Sequence, residues 1–439
     1  MNYVVLAGCA LGGAILATCL ACIPALHIYN VAGLLLVLLV RYETAVDPQV
    51  VSFLLLGMMV GYSLASVIPS VFMSVPDEAT VWLVLPAQQY LLRGRGYEAI
   101  VLSLIGSLGS IVGLVVLAPV ASRSLVWLRR VIQPHLAWII GLFVTYVLVS
   151  EWPKGKGRGH TVLTRLWDGW RSLLAGQATF ALSGLLGLVL TYRPLTPLRA
   201  SVLGWMPVFV GLFAVPWLVA NALTRTRIPA QYAGGSVDVT ALEVISGIVS
   251  GIVGGLVAAV FPAITAGIGS LVAGHATAQR DERVFIVSQG AARTTYYVGA
   301  LLLWYVPGLY LVRGGMSSMQ SALYTPRTPR EYGIAVAMVA LCGAVALVVS
   351  LLLAQLVSRF ISRVRYRWLS LGILAMLVIV IWLTMGGTGV LVLATASGIG
   401  MIPVSCKCRR LNCVGVLLVP ALVRCAGLGT RVAHMLGLG

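Results

Sequence analysis

The chain of 439 residues is 59% hydrophobic and only 10% charged, and its formal net charge is +18. A soluble domain of this length could not bury so much apolar surface, whereas a protein that faces lipid has no need to. The apolar stretches approach the ~20 residues with which a helix crosses a bilayer, which excludes a barrel of shorter, alternating strands. The sequence therefore predicts an all-α, multi-pass protein of the cell membrane.

The basic residues lie in the loops between the apolar stretches, where they suit contact with anionic lipid head groups. Membrane lipids are therefore an expected partner, nucleic acid is not, and a homodimer is a candidate assembly. Among the eight cysteines, Cys406, Cys408 and Cys413 form a C-x-C-x4-C cluster whose spacing matches no standard zinc pattern. We expect no metal centre and no cofactor.

In chain order, the first apolar stretch runs from about Tyr3 to Val40 and is interrupted by Pro24. It is too long for one span, so we expect a spanning helix up to Cys22, a break, and a shorter helix from about Leu26. A short amphipathic segment is expected over Glu78–Leu92 and a hydrophilic loop over Glu151–Arg171. The other membrane helices of the first half are predicted over Val50–Met73, Tyr97–Val120, His135–Trp152, Trp170–Thr191 and Val202–Asn221.

Residues 224–241 are predicted to link a first transmembrane repeat, 1–223, to a second, 242–439. The second repeat opens with a Gly-rich helix, Leu242–Val260, which Pro262 ends, and a short apolar piece follows to about Ala276. We expect roughly ten to fourteen membrane segments, some of them incomplete spans. The remaining helices are predicted over Val284–Val312, Ile334–Val357, Trp368–Met385, Val390–Ile402 and Val414–Ala426.

The two halves share an order of features that indicates an internal repeat. Cys22–His27 resembles Val260–Thr265, and Leu91–Gly94 resembles Leu311–Gly314. Transporters with two repeats of inverted topology carry broken or re-entrant helices at matching positions. Each break exposes the amide groups and positive dipole end of the half-helix that follows, so two such ends suit an anion. The alternative is that Pro24 and Pro262 only kink continuous helices.

Polar side chains beside the two breaks are the candidate substrate-binding residues. His27 and Asn30 share a face of the short helix after Pro24, and His27 falls on Thr265 at the repeat offset. Arg293 lies in a polar cluster inside an apolar segment and needs a partner or an anion there, unless it extends to the membrane interface. The full predicted set is Pro24, His27, Asn30, Pro262, Thr265, Gly267, Ser288, Gln289, Gly290, Arg293 and Thr294.

Asp77 and Glu78 are candidates for ion coupling because acidic residues are rare in this chain and these two follow an apolar run. Na⁺ or H⁺ would be the coupling ion. The alternative is structural, with Asp77 capping a helix whose first turn contains Glu78. The sequence has no zincin, nucleophile-elbow or Walker A motif, so we expect no enzyme. Transport would run on an ion gradient or be passive, unless a partner supplies ATP hydrolysis.

The combination of these motifs resembles the archaeal branch of the TctA family, the large membrane subunit of tripartite tricarboxylate transporters. The resemblance extends from near Leu11 to near Pro420, although this chain has Pro-Ala at residues 24–25 and 262–263 where the family usually has Pro-Gly. Because Ala resists a positive φ, we expect a less sharp turn after each break. The motifs are Ile23–Asn30, Val75–Ala79, Leu85–Pro86, Arg93–Ala99, Ile105–Gly109, Phe261–Thr265 and Ser288–Ala292.

The resemblance implies an inverted-repeat carrier. In bacterial relatives the substrate is a carboxylate that a separate binding protein delivers, whereas the archaeal branch looks like a stand-alone form. Our main hypothesis is an ion-coupled transporter of a small organic anion such as a carboxylate. The alternatives are a transporter or flippase of a lipid-linked (polyprenyl) phosphate, which predicts a lateral opening, and a non-transporting membrane scaffold, which predicts unbroken helices.

Overall fold

The computed structural model describes residues 3–24, 26–41, 46–75, 77–153, 160–193, 204–223, 228–234, 237–277 and 281–438. Within these ranges the secondary structure is helical and contains no strand, which confirms the all-α class. Eight helical segments of the described chain are long and apolar enough to cross a membrane. Arg410–Cys425 and Gly429–Met435, bent by 119°, form a further candidate span, and Ile28–Leu39 is a shorter apolar helix.

The described part of the first half contains ten helices. A 3₁₀ turn, Gln133–His135, joins α6 to α7, and a π-helical turn, Val210–Ala214, joins α9 to α10. The helices are α1 Tyr3–Leu20, α2 Ile28–Arg41, α3 Pro48–Ala65, α4 Val67–Phe72, α5 Val84–Leu92, α6 Gly96–Ile132, α7 Leu136–Val149, α8 Val162–Tyr192, α9 Met206–Phe209 and α10 Val215–Leu223.

Eight helices follow among the described residues of the second half. A 3₁₀ turn, Arg410–Val414, precedes α17, and α16 is kinked at Gly386, whose φ is 67°. The helices are α11 Ala241–Val260, α12 Ala266–Ala276, α13 Glu282–Tyr305, α14 Gly314–Leu323, α15 Pro329–Ile361, α16 Tyr366–Cys406, α17 Gly415–Cys425 and α18 Gly429–Met435.

The predicted break at Pro24 is confirmed, since α1 ends at Leu20 and α2 begins at Ile28. The hydrophilic loop expected up to Arg171 is shorter than predicted. Thr161 and Thr164 form a reciprocal capping box that starts α8 at Val162. The two helices predicted over 368–385 and 390–402 are one kinked helix, α16.

The chain divides into two compact units, each of which draws on both sequence halves. The first unit comprises the described parts of 1–131, 224–260 and 265–369, and the second those of 132–223, 261–264 and 370–439. The assignment of 1–223 and 242–439 to two inverted repeats remains a prediction. Residues 224–227 and 235–236 of the predicted linker lie outside the described residues.

Close backbone contacts at glycines hold the helices of the first unit together. A Cβ added at Gly57 would overlap the carbonyl of Ala10, which shows how closely α3 approaches α1. The same holds between α6 and α13, where Gly290 lies against the carbonyl of Ser103 and Gly106 against that of Val287. Small residues at such crossings are typical of membrane helices, whose association depends on close packing.

The second break, at Pro262, reverses the chain. Gly254 of α11 lies so close to α12 that an added Cβ would be 2.6 Å from the carbonyl oxygen of Gly269. Ser250 Oγ in the middle of α11 is 3.2 Å from Thr277 Oγ1, which directly follows the C-terminus of α12. Because Gly254 lies opposite Gly269 and Ser250 lies opposite Thr277, α12 runs antiparallel to α11, as in a re-entrant hairpin. Ala263 takes a left-handed φ of 63° at this turn, so the expectation that alanine would make the turn less sharp is wrong here.

Candidate functional site

Three parts of the first unit converge at the N-terminus of α2. His27 precedes α2, Tyr297 lies on α13, and Glu78 lies in the turns between α4 and α5. His27 Nε2 is 3.2 Å from the hydroxyl oxygen of Tyr297 and 3.7 Å from Glu78 Oε1. The His27 side chain is 15% exposed and that of Glu78 8%, so this cluster is mostly withdrawn from solvent.

Asp77 is saturated by hydrogen-bond donors. Its Oδ1 accepts from the backbone N–H of Ala79 at 3.0 Å, and from the N–H and hydroxyl of Thr80, both at 2.8 Å. Its Oδ2 accepts from the hydroxyls of Tyr62 at 3.1 Å and Tyr297 at 2.9 Å. A carboxylate has about four lone-pair positions, so these donors occupy it fully. The capping interpretation of Asp77 therefore describes its geometry, and the carboxyl fixes the turn that positions Glu78.

The His27 ring caps α2. Its Nδ1 accepts a hydrogen bond from the backbone N–H of Tyr29 at 3.2 Å. In the neutral ring the proton must then be on Nε2, which points at Tyr297 and Glu78. The imidazole thus occupies the amide end of α2 that the sequence assigned to an anion.

His27, Asp77 and Glu78 offer ligand atoms that lie within 4.8 Å of one another, a grouping that could hold a metal ion within the described chain. Their hydrogen bonds fit a metal poorly, because donors occupy Asp77 and both ring nitrogens of His27 are engaged. The arrangement suits proton transfer better than metal binding. Among the residues described, Cys406, Cys408 and Cys413 form no comparable grouping, and all three are free thiols.

The N-terminus of α12 lies on the other side of Glu78. A Cβ added at Gly267 would be 3.0 Å from the carbonyl oxygen of Glu78 and 3.6 Å from the ring of Trp82. Thr265 is the N-cap of α12, yet its hydroxyl makes no capping bond. This hydroxyl is buried with no hydrogen-bond partner in the described structure, and the residue is 1% exposed. Unlike α2, α12 therefore presents an uncapped amide end.

Gln289 adds a second unpartnered donor against α12. Its Oε1 accepts from the Ser270 hydroxyl at 3.1 Å. Its Nε2 has no partner among the described residues, and the residue is 2% exposed. Buried polar groups are nearly always hydrogen-bonded, so the Thr265 hydroxyl and the Gln289 amide are each available to a polar ligand.

Arg293 is fully buried, as the buried interpretation predicted. Its Nε donates to the carbonyl of Ser63 at 2.7 Å and its Nη2 to that of Leu64 at 3.4 Å. These carbonyls are free because α3 ends at Ala65, which leaves its last C=O groups without intrahelical partners. Nη1 has no hydrogen-bond partner in the described structure, so part of this cation is also unsatisfied.

The other predicted residues serve helix packing in this structure. Ser288 Oγ donates to Phe285 O at 2.8 Å, Gly290 admits α6, and Thr294 Oγ1 donates to Ser63 O at 3.4 Å. The backbone N–H of Asn30 donates to His27 O at 2.9 Å. Pro24 is buried beside the first break, and Pro262 lies in the 261–264 segment that clusters with the second unit.

Sequence reasoning missed three tyrosines that surround His27. The ring centroids of Tyr29, Tyr62 and Tyr297 lie 4.4, 4.9 and 5.9 Å from that of His27. A signal existed for Tyr297, which follows Arg293 by one helical turn and therefore shares its face. Tyr62 lies in an ordinary apolar span and had no such signal.

Comparison with known proteins identifies the family. The description "Tripartite tricarboxylate transporter TctA family" matches residues 7–415, so the chain belongs to this family. It is 24% identical over 415 residues to a protein of Methanocaldococcus jannaschii described as "Uncharacterized protein MJ1079", and the match covers 94% of this chain and 96% of that one. The search of solved structures finds no match.

Proposed function

From membership of the TctA family we infer that this multi-pass membrane protein is an ion-coupled secondary transporter, and not an enzyme, for a small organic anion such as a carboxylate. The observation that carries the proposal is the uncapped end of α12, with the unpartnered Thr265 hydroxyl and Gln289 amide beside it. Free amide groups and the helix dipole attract anions. A carboxylate there would satisfy donors that the protein leaves unpaired.

The acidic neighbours explain why such a carrier would need a coupling ion. The backbone of Gly267 at this helix end packs against that of Glu78. At an effective dielectric constant of 20, two like unit charges about 8 Å apart, roughly one side-chain length beyond a backbone contact, repel by about 2 kcal/mol, or roughly 30-fold in affinity. An anion and an ionised Glu78 therefore oppose each other's binding, and a cation that neutralises Glu78 restores anion binding. Such mutual dependence is what couples two fluxes.

The charges of this cluster fit a single coupling cation. Asp77 and Glu78 are two carboxyl groups, and Arg293 is the cation on the adjoining helix α13. With His27 neutral, one formal negative charge remains, and one bound cation cancels it. Asp77 is occupied by donors, so Glu78 is the member of the pair that we assign to the coupling ion.

Uptake into proteoliposomes tests the proposal. Acetate, succinate and citrate would be offered under H⁺ and Na⁺ gradients, with scrambling of a polyprenyl phosphate as the arm that reports the flippase alternative. We expect gradient-driven accumulation of at least one carboxylate. The variants His27→Ala and Arg293→Ala should lose this gradient-driven accumulation.

The variants Thr265→Val and Gln289→Leu remove only the unpartnered donors. We expect each to reduce uptake by about ten-fold, the value of one hydrogen bond to a charged group. Ser358→Ala is the matched control, because Ser358 is equally buried but donates within its own helix, to Gln355 O at 2.7 Å. Normal uptake by both donor variants, or transport of the lipid phosphate alone, would refute the assigned anion site.

A further inference from the structure

The His27 imidazole makes two interactions, and protonation of the ring would weaken one and strengthen the other. Its Nδ1 accepts the N–H of Tyr29 and so closes the amide end of α2, while its Nε2 faces Glu78 Oε1 at 3.7 Å. An imidazolium has N–H groups on both nitrogens and accepts no hydrogen bond. Protonated His27 therefore cannot keep the α2 cap, but it gains an ion pair with Glu78.

We propose that the coupling ion is a proton and that its arrival on His27 opens the amide end of α2 to the anionic substrate. This inference rests on the proposed function and names the ion and the switch within it. The proton binds Nδ1, the hydrogen bond from Tyr29 N–H breaks, and Nε2–H closes on Glu78 Oε1. Loss of the proton to the opposite side restores the cap and expels the anion.

The asymmetry between the two broken helices supports this assignment. The amide end of α12 is uncapped, with unpartnered donors beside it, whereas the amide end of α2 is occupied by a side chain that a proton can remove. Both ends meet the same acidic turn, α2 through His27 and α12 through Gly267. The structure therefore has one open and one closed helix end, as expected of a proton-free state.

The hydroxyl of Tyr297 limits where protons can lie. It has a single hydrogen, yet it is 2.9 Å from Asp77 Oδ2 and 3.3 Å from Glu78 Oε1. It can donate to only one of them, while its oxygen accepts from His27 Nε2 at 3.2 Å. With that hydrogen given to Asp77 at the shorter distance, Glu78 remains the partner for a charged His27.

All titratable groups around the ring enter this balance. Tyrosine hydroxyls stay neutral in the range where histidine titrates, so the carboxylates and the guanidinium supply the charge. The facing groups are Tyr29 from α2, Tyr62 from α3, Asp77 and Glu78 from the turn, and Tyr297 from α13, which also carries Arg293.

Two substitutions at one position separate the closed from the open state. Asparagine caps helices well and does not titrate, so His27→Asn should hold α2 closed. Alanine neither caps nor titrates, so His27→Ala should leave α2 open at all pH values. Succinate and citrate binding would be measured without gradients between pH 4 and 8, and the known ionisation of each anion would be subtracted from its profile. His135→Asn is the control, since His135 precedes α7 but forms no capping bond there.

For the wild type and the control we expect affinity to fall at least ten-fold as pH rises through the titration of His27. At the acidic end of this range His27→Asn should bind at least ten-fold more weakly than the wild type, and its affinity should not change with pH. His27→Ala combined with Glu78→Gln, which removes the charge that His27 would neutralise, should bind at the wild-type acidic level with a profile that does not change with pH, but should lose proton-driven accumulation. A pH-dependent His27→Asn, or a His27→Ala/Glu78→Gln double variant that loses binding, would overturn the switch.

Nitrogen NMR of histidine-labelled protein in liposomes gives a readout that does not depend on transport. The chain has five histidines, and His27→Asn identifies the signals of His27. We expect the Nε2–H tautomer at high pH, and a shift of protonation to higher pH when succinate or citrate is bound. Anion transport driven by Na⁺ alone, with His27 unprotonated throughout, would refute this inference and leave the proposed carrier intact.

Discussion

The Tyr297 hydroxyl contacts His27, Asp77 and Glu78, and its removal should affect both protein stability and transport. Tyr297→Phe deletes the donor to Asp77 at 2.9 Å and the acceptor that His27 Nε2 faces at 3.2 Å, while the buried ring remains. A hydrogen bond to a charged group contributes about 1.5–3 kcal/mol, so we expect about 2 kcal/mol lower unfolding free energy. We also expect at least ten-fold slower proton-driven uptake, because His27 and Glu78 lose their shared neighbour.

Denaturant titration in micelles and uptake in proteoliposomes would measure the two effects. Tyr332→Phe is the matched control, since that buried hydroxyl donates to Ala118 O at 3.1 Å, away from the cluster. A neutral bond of this kind contributes about 1 kcal/mol, and uptake should not change. If Tyr297→Phe lowers stability no more than Tyr332→Phe and transports normally, the hydrogen bonds of the Tyr297 hydroxyl contribute neither to stability nor to transport as proposed.

Three further predictions concern the backbone and the acid pair. Ala263→Gly should raise stability by about 1 kcal/mol in the same titration, because φ is 63° there; a loss would show that the turn is unstrained. Gly290→Ala should lower stability by about 1–3 kcal/mol through overpacking, whereas Gly333→Ala, with open space around it, should raise it slightly; equal effects would contradict the close helix contact. Asp77→Asn should cost about 3 kcal/mol, since an amide would face hydroxyl and N–H donors, while Glu78→Gln should fold normally and lose coupling; the reverse order would exchange their roles.

The sequence was sufficient to predict the membrane class, the family and both helix breaks. Hydrophobic runs and prolines are local signals, so the ends of α1 and α11 lay within a few residues of their predicted positions. The helix α14, Gly314–Leu323, was missed because its Gly, Ser and Gln residues lack an apolar run. It forms through tertiary contacts such as that of Gly315 with the ring of Tyr29.

The sequence predicted which residues form the candidate site better than it predicted the contacts between them. His27, Asp77, Glu78, Thr265 and Gly267 do lie together, but no local pattern could show that His27 caps its own helix or that donors saturate Asp77. Arg293 was expected to seek an anion, and the structure supplies carbonyls from the end of α3 instead. Such partners come from helices more than two hundred residues apart in the chain, so sequence spacing does not encode them.

Calorimetry of anion binding tests the central claim of coupled anion and proton binding most directly. Titrations of succinate and citrate at pH 6.5, in buffers of different ionisation enthalpy, count the protons that each anion brings into the protein. After the protons exchanged by the anion itself are subtracted, the coupled site predicts an uptake of about one proton per anion, since each ligand favours the other's binding. Binding without proton uptake, or binding that requires Na⁺ instead, would contradict it.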